Sequence, residues 1–299
     1  MLVTGATGFI GWRLSQVLVA LGANVTGVSR SASVANLPTD VQPLAIDLTE
    51  RESVNVALGS DRYDAVVHLA GHVTGRPHRE LVMPTLYANL IGTVNLLDAI
   101  SSVGCGRFVY SGSSEEPRVN DVPKSPYAAA KSSADAYVRM FHALFGVPAV
   151  VLRLFLTYGP RQESSKLVPF SIHSLRKGST PSLLGPDNSC DAIYVDDVVR
   201  CILKAVVAPP GIEGATFDVG SGSSISLREL VRQITQLMGL PASHIPALDH
   251  CLGANTDRPA CIEDTKASLG WAPVWTLHDG LSETIRWHSN AAMATGNTQ

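Results

Sequence analysis

The chain opens Met1-Leu2-Val3-Thr4-Gly5-Ala6-Thr7-Gly8-Phe9-Ile10-Gly11. A short apolar run leads into three glycines spaced G-x-x-G-x-x-G, and an amphipathic stretch over 11–21 follows. After a strand and before a helix, each glycine has a physical task. One allows the tight turn, the next lets a pyrophosphate approach the backbone, and the last lets helix and strand pack closely. Amides at the helix start, with the helix dipole behind them, then face a negative charge. Gly5, Thr7, Gly8, Phe9, Ile10 and Gly11 are therefore candidate contacts to a dinucleotide.

Outward from this turn, short apolar runs alternate with helical patterns. Strands are expected over 2–3, 24–28, 41–46, 65–69, 107–110 and 149–152, and helices over 11–21, 53–57, 86–103 and 127–145. Most of the strand runs are continuously apolar and β-branched, which suits strands covered on both faces of a parallel sheet. The alternation predicts an α/β fold with a doubly wound parallel sheet. After Tyr158-Gly159-Pro160, glycine and proline become frequent and helices shorten, as over 227–238. That texture predicts a smaller mixed C-terminal region packed on the edge of the sheet. The expected division is a dinucleotide-binding domain over 1–157, rejoined by 192–220, and a substrate-binding region over 158–191 and 221–290. Residues 291–299 are small and polar and are expected to fray.

Composition narrows the function. The 299 residues admit two modest domains at about 150 residues each. Apolar residues make up 45% and charged residues 16%, which excludes a disordered chain and a polyelectrolyte tail. A formal net charge of -3 supplies no global basic field for nucleic acid or anionic membrane, so a bound anion must be held by local geometry. Cys105, Cys190, Cys201, Cys251 and Cys261 are odd in number, scattered and without zinc-ligand spacing, which predicts reduced thiols. The nine histidines show no ligand spacing, so no metal is expected. No basic signal region and no apolar span of about 20 residues is seen, so a cytoplasmic, non-membrane protein is expected.

The end of the second strand should meet the adenosine ribose. The residues there are Val28-Ser29-Arg30-Ser31, with no acid. A carboxylate would grip both ribose hydroxyls and repel a 2′-phosphate. The guanidinium of Arg30 with the hydroxyls of Ser29 and Ser31 suits that phosphate instead. NADP(H) is the expected cofactor, with NAD(H) possible; the alternative is that Arg30 is a solvated loop charge.

Tyr127-Ala128-Ala129-Ala130-Lys131 sets a phenol and an ammonium four residues apart, on one helix face. A free phenol has a pKa of about 10, and a nearby cation should pull it toward the working range. Lys131 can also hold a ribose hydroxyl. Pro126 marks a helix start. Ser111-Gly112-Ser113-Ser114-Glu115-Glu116 follows the fifth strand, at the sheet edge where ligands of such folds sit. A serine there can hydrogen-bond a substrate carbonyl or hydroxyl. Glu115 is either a general base or a solvated loop acid. Asp196-Asp197 reads as capping for the helix that follows.

With these segments in view, the chain resembles the extended short-chain dehydrogenase/reductase superfamily, in its NAD-dependent epimerase/dehydratase group. The resemblance is carried by 4–11, Asp47-Leu48, His68-Leu69-Ala70-Gly71, Asn89-Leu90-Ile91-Gly92-Thr93, 111–115, 127–131, 153–160, 194–197, 217–220 and Leu269-Gly270-Trp271. It implies a Rossmann sheet, with Asp47 and Leu48 framing the adenine and Leu69, Ala70 and Gly71 lining the cofactor cleft. It implies Asn89 on the helix beside the active site, and Ser113, Tyr127 and Lys131 as the catalytic trio. It also implies a homodimer through the 86–103 and 127–145 helices, and Arg258 near a nucleotide diphosphate.

Three departures lie on the substrate side and leave the cofactor chemistry untouched. Leu156 stands where relatives often have Asn, Glu116-Pro117-Arg118 where many have Val-Tyr-Gly, and Cys190 where many have Arg before Asp191. Lys166, Arg161 and Arg258 remain available for phosphate contacts, with Ser113, Ser114 and Glu115 on the substrate. The expected activity is NADP(H)-dependent reduction of a keto group on a nucleotide-activated deoxyhexose. The alternatives are a ketoreductase for a polyketide-like ketone, a nucleotide-sugar 4-epimerase or 4,6-dehydratase, and an inactive dinucleotide sensor.

Overall fold

The computed structural model describes residues 1–30, 36–117, 120–183, 185, 187–246 and 258–296. Ser31, Arg118 and Cys251 lie outside the described residues. The chain divides into two compact units: Met1–Leu154 with Val199–Asp218 and Asp264–Trp271, and Phe155–Val198 with Val219–Glu263 and Ala272–Gln299.

The first unit is built on the expected alternation. In chain order it holds β1 (Leu2–Thr4), α1 (Phe9–Ala20), β2 (Thr26–Ser29), β3 (Gln42–Ala45), α2 (Arg51–Leu58) and β4 (Val66–His68). A helical stretch follows in four parts: a 3-10 turn (Arg79–Leu81), α3 (Val82–Thr85), a π turn (Leu86–Ile91) and α4 (Gly92–Val103). Then come β5 (Phe108–Ser113), α5 (Pro126–Phe145) and β6 (Ala149–Leu154). With β10 (Thr216–Val219), the strands form one seven-stranded sheet in the order β10-β6-β5-β4-β1-β2-β3. The pairs from β3 through β6 are parallel. Strand order reverses between β1 and β4, and the carboxyl ends of β1, β4 and β5 share one edge. Ligands of doubly wound sheets bind at such a switch point.

Continuous apolar runs are accommodated because helices cover the sheet. Val54 and Leu58 of α2, Leu96 and Ile100 of α4 and Val138 of α5 pack with the strands in one fully buried cluster. Removing any of these from water contributes about 1.5–3 kcal/mol.

The expected single helix over 86–103 differs in the structure. It begins as a π turn, because the side chain of Asn89 enters the helical ladder. Its Nδ2 donates to the Thr85 carbonyl at 3.1 Å, the acceptor that an α-helical amide of residue 89 would use. The stretch 79–103 is long and apolar enough to cross a membrane by composition. Here it buries Thr85, Asn89, Thr93 and Asn95.

In the second unit, β7 (Leu156–Tyr158) pairs in parallel with β9 (Ala192–Tyr194), and β8 (Ser189–Cys190) pairs antiparallel with β11 (Ile225–Ser226). Its helices include α6 (Leu167–Arg176), α8 (Leu227–Leu237) and α10 (Leu277–Gly296). Two helices are shared along the chain, α7 (Val195–Val207) and α9 (Glu263–Leu269). Two buried carboxylates organise this unit. Asp191 accepts from the amides of Ser221 (2.6 Å), Gly222 (2.9 Å) and Ala260 (2.9 Å). Asp197 lies with Asp196 in the first turn of α7, where the sequence reading set these acids, and it also accepts from the amides of Val274 and Trp275, at 3.0 and 2.9 Å. Sequence spacing cannot show such a partner 77 residues away.

Candidate active site

The glycine turn follows β1 on the shared edge. Gly5 has φ +70°, and a Cβ there would lie 2.9 Å from the Ala70 nitrogen. A Cβ on Gly11 would lie 2.2 Å from the Gly5 carbonyl oxygen. The space is a cradle that side chains would fill. At its mouth, α1 starts from Gly8 with no side-chain cap and no acid in the first turn. The first amides of a helix have no partner within it. Those of Phe9, Ile10 and Gly11 therefore suit an anionic ligand, and a dinucleotide diphosphate fits this donor set.

A buried hydrogen-bond chain fixes the neighbouring wall. The amides of Leu69 and Ala70 both donate to Thr4 Oγ1, each at 3.2 Å. Thr4 Oγ1 meets His68 Nδ1 at 2.6 Å, and His68 Nε2 meets Thr93 Oγ1 at 2.9 Å. Thr93 Oγ1 in turn donates to the Asn89 carbonyl at 2.7 Å, so it accepts from His68, and Nε2 carries the ring proton. Nδ1 then accepts from Thr4. Burial, with Lys131 second, depresses His68 to a pKa of about 3, so the ring is neutral. Asn89 Oδ1 accepts from the His72 amide at 3.1 Å, and a Cβ on Gly71 would lie 2.4 Å from that oxygen. The three residues Leu69, Ala70 and Gly71 are thus pinned from both sides.

On the adenosine side, Ser29 ends β2 and Arg30 is exposed just beyond it. The sequence placed no acid at this strand end, yet the fold brings one from the next strand. Asp47 lies close enough that the Arg30 charge helps hold its carboxyl below the ordinary range. The larger causes are hydrogen bonds from the Thr49 amide and hydroxyl, at 3.0 and 2.8 Å. Leu48 is buried, its carbonyl accepting from Asn95 Nδ2 at 2.9 Å.

The polar run read as a loop after the fifth strand is partly strand: β5 continues through Ser111, Gly112 and Ser113, paired with Leu152, Arg153 and Leu154 of β6. Ser113 therefore stands on rigid backbone at the shared edge. Its Oγ accepts from the Glu115 amide at 3.2 Å, and its hydroxyl lies near enough to Tyr127 to act on that phenol. Ser114 and Glu115 are exposed at the turn.

Tyr127 is set by the helix start. Ser125 caps α5, accepting from the Ala128 amide at 3.1 Å, and Pro126 occupies the first helical position. Tyr127 and Lys131 are both buried on the same face. Lys131 Nζ donates to the Ser111 carbonyl at 2.6 Å and stands 4.6 Å from the centre of the Tyr110 ring.

The electrostatics differ from the sequence reading. Lys131 was expected to pull the phenol of Tyr127 down. Burial instead pushes that phenol well above its ordinary range. The Ser113 hydrogen bond opposes this rise, and the charges of Glu115 and Glu116 add to it. Burial also lowers Lys131 to a pKa of about 8, with the Glu116 charge resisting.

Residue spacing showed that Tyr127 and Lys131 share a helix face, but not which groups the ammonium would meet. His68, Thr4 and Thr93 were not read as parts of the site. Thr4 ends the first apolar run, while His68 and Thr93 each interrupt an apolar stretch, and that is the signal the sequence carries.

Lys166 and Arg258 belong to the second unit, where Lys166 immediately precedes α6 and Arg258 is exposed. Among the described residues no cluster of three or more His, Cys, Asp or Glu could hold a metal ion. Cys105, Cys190, Cys201 and Cys261 are not disulfide-bonded.

A glycine cradle at a switch point, with a serine, tyrosine and lysine at the same sheet edge, defines a dinucleotide-dependent α/β enzyme of the short-chain dehydrogenase/reductase type. The chain belongs to the NAD dependent epimerase/dehydratase family, whose model matches residues 1–220. It is 30% identical to a dTDP-glucose 4,6-dehydratase of Streptomyces griseus, across 96% of this chain and 93% of that one. Among solved structures it is similar to a UDP-glucose 4-epimerase of Thermotoga maritima with UDP-glucose: TM-score 0.86, 25% identity, 97% of this chain and 99% of that one. It is also similar to MoeE5 in complex with UDP-glucuronic acid and NAD: TM-score 0.82, 27% identity, 97% and 99% covered.

Proposed function

We propose that this enzyme performs reversible redox chemistry at a ring carbon of a nucleotide-linked hexose, within a 4-epimerase or 4,6-dehydratase cycle. The observation that carries this reading is the gathering of Ser113 at the end of β5 with buried Tyr127 and Lys131 of α5, Lys131 tied to the Ser111 carbonyl, on the same sheet edge as the glycine cradle. A bound nicotinamide dinucleotide supplies the hydride acceptor or donor. Gly5, Thr7, Gly8, Phe9, Ile10 and Gly11 would hold its diphosphate, and Leu69, Ala70 and Gly71 the wall beside it. After releasing its own proton to solvent, Tyr127 Oη as the phenolate takes the proton of the carbinol when it is oxidised, and as the phenol it returns that proton to the ketone oxygen when it is reduced. Ser113 hydrogen-bonds that same oxygen. The ammonium of Lys131 offsets the charge of the phenolate. In a dehydratase cycle Glu115 would remove the carbon-bound proton. NAD(H), as named with the MoeE5 structure, is one cofactor for this site.

A second reading is net reduction of a keto sugar with NADPH. Two observations favour it. The phenol is driven toward its proton-loaded form, which suits donation to a ketone oxygen, and Arg30 is exposed where a 2′-phosphate would sit.

Incubation with UDP-glucose, UDP-glucuronic acid or dTDP-glucose, followed by NMR of the products, separates these cycles. The expected product is a 4-epimer or a 4-keto-6-deoxy sugar. Tyr127→Phe should lose about 100-fold or more in turnover while still binding cofactor. Undiminished turnover in that variant would overturn the reading.

A further inference from the structure

Glu116 has a buried carboxylate at the turn after β5, its side chain 5% exposed. Its Oε1 accepts from the backbone amide of Ser113 at 2.7 Å. The turn closes behind it, with the Glu116 amide donating to the Ser113 carbonyl at 3.1 Å. Gly112 makes the room: a Cβ there would lie 3.0 Å from Oε1 and 3.1 Å from Val151 Cγ1. Charged and titratable groups face this carboxylate from every neighbouring element. From β6, Arg153 Nε lies 3.8 Å from Oε2, while its Nη1 is held by Asp218 of β10 at 2.9 Å. From α5 come Lys131, Tyr127 and Asp135, the last paired with Arg139 at 2.8 Å. From β5 comes Tyr110.

We propose that Glu116 is a positioning residue for the candidate catalytic group: its carboxylate fixes the backbone of Ser113 and sets a buried acidic group at the strand end where Lys131 is also held. The proposal deepens the reading above and rests on it. Burial raises the carboxyl of Glu116 itself, and the Ser113 amide, Lys131 and Arg153 oppose that rise and favour the anion; a buried anion near two proton-carrying groups raises the pKa of both. Its field therefore opposes the desolvation of Lys131, which would otherwise shed its proton at lower pH. It also keeps Tyr127 loaded. The arrangement separates two roles in one side chain. The hydrogen bond to Ser113 needs only an acceptor oxygen, whereas the field at Lys131 needs the charge.

Glu116→Gln keeps the acceptor and removes the charge; Glu116→Leu removes both. The measurement is side-chain NMR of lysine-labelled protein between pH 6 and 10, with Lys131→Met assigning the signal. Wild type should titrate near the value of about 8, and Glu116→Gln about one pH unit lower. The kcat profile of Glu116→Gln should move the same way, with little change in KM. Glu116→Leu should lose kcat further, because the Ser113 amide is left unpaired. An unmoved Lys131 midpoint in a Glu116→Gln protein that melts like wild type overturns the proposal. The titration needs no substrate, so this failure is distinct from full turnover by Tyr127→Phe, which would sink the underlying reading instead.

Discussion

On the NADP(H) reading, one exposed side chain, Arg30, would decide the cofactor. It stands beyond β2 with hydroxyl-bearing Ser29 behind it, and its charge reaches Asp47. A guanidinium prefers a 2′-phosphate, while a carboxylate prefers the bare ribose, and here both are near. Thr49 engages only Oδ1 of Asp47, so the NADP(H) reading needs Arg30 to outweigh a carboxylate with an oxygen still open. Replacing Arg30 with Ala should weaken NADPH binding about tenfold, the worth of one charge-assisted contact, and leave NADH binding unchanged. Fluorescence titration with both coenzymes reads this directly; equal losses would mean that Arg30 does not sort them. At this scale the sequence showed which residue types share a strand end or a helix face. It could not supply their partners, because a hydrogen bond such as Lys131 to Ser111 depends on where two elements meet. The upward shift of the phenol was hidden for the same reason: burial is a property of the packed site, not of Y-x-x-x-K spacing.

At the scale of elements, α5 is the part on which the chemistry depends. Ser125 and Pro126 fix its first turn, and Tyr127 follows at once. Ser125→Ala removes the acceptor for the Ala128 amide and should cost about 1 kcal/mol in urea unfolding, with a measurable fall in kcat. No change in stability would show that Pro126 alone sets the helix start. The strands and most helices were legible because apolar runs and 3.6-residue periodicity are local signals. The extension of β5 through Ser111-Gly112-Ser113 was not legible, since that tripeptide has the composition of a turn and becomes strand only by pairing with β6. The π turn was hidden too, because it arises from one side chain entering a ladder whose sequence looks uniformly helical.

For the molecule as a whole, the parallel α/β order was readable from the first glycine turn outward, while the buried polar links were not. His68 bears on global stability. An unfolded histidine takes up a proton near pH 6.5, but the folded one resists until about pH 3. Its contribution is complete above pH 6.5 and is lost as acid carries the solution toward the folded value. Within that window the unfolding free energy should fall by about 1.4 kcal/mol per pH unit from this group alone. Urea unfolding of wild type and His68→Gln at pH 6.5, 5.5 and 4.5 should show a shallower decline in the variant. Parallel declines would mean that other groups govern acid sensitivity.

The wide turn over Leu86–Ile91 also limits how this chain can change length. Deleting any one residue there would let the ladder close to ordinary α pitch. A π turn bonds one residue further along than an α turn, so it absorbs about one extra residue, and that first deletion leaves the later side chains of α4 in phase. Thr93 would keep the imidazole, Asn95 would keep Leu48, and Leu96 and Ile100 would stay in the apolar cluster. Only a second deletion would swing every later side chain by about 100°, so the stretch 86–91 tolerates the loss of one residue and not of two.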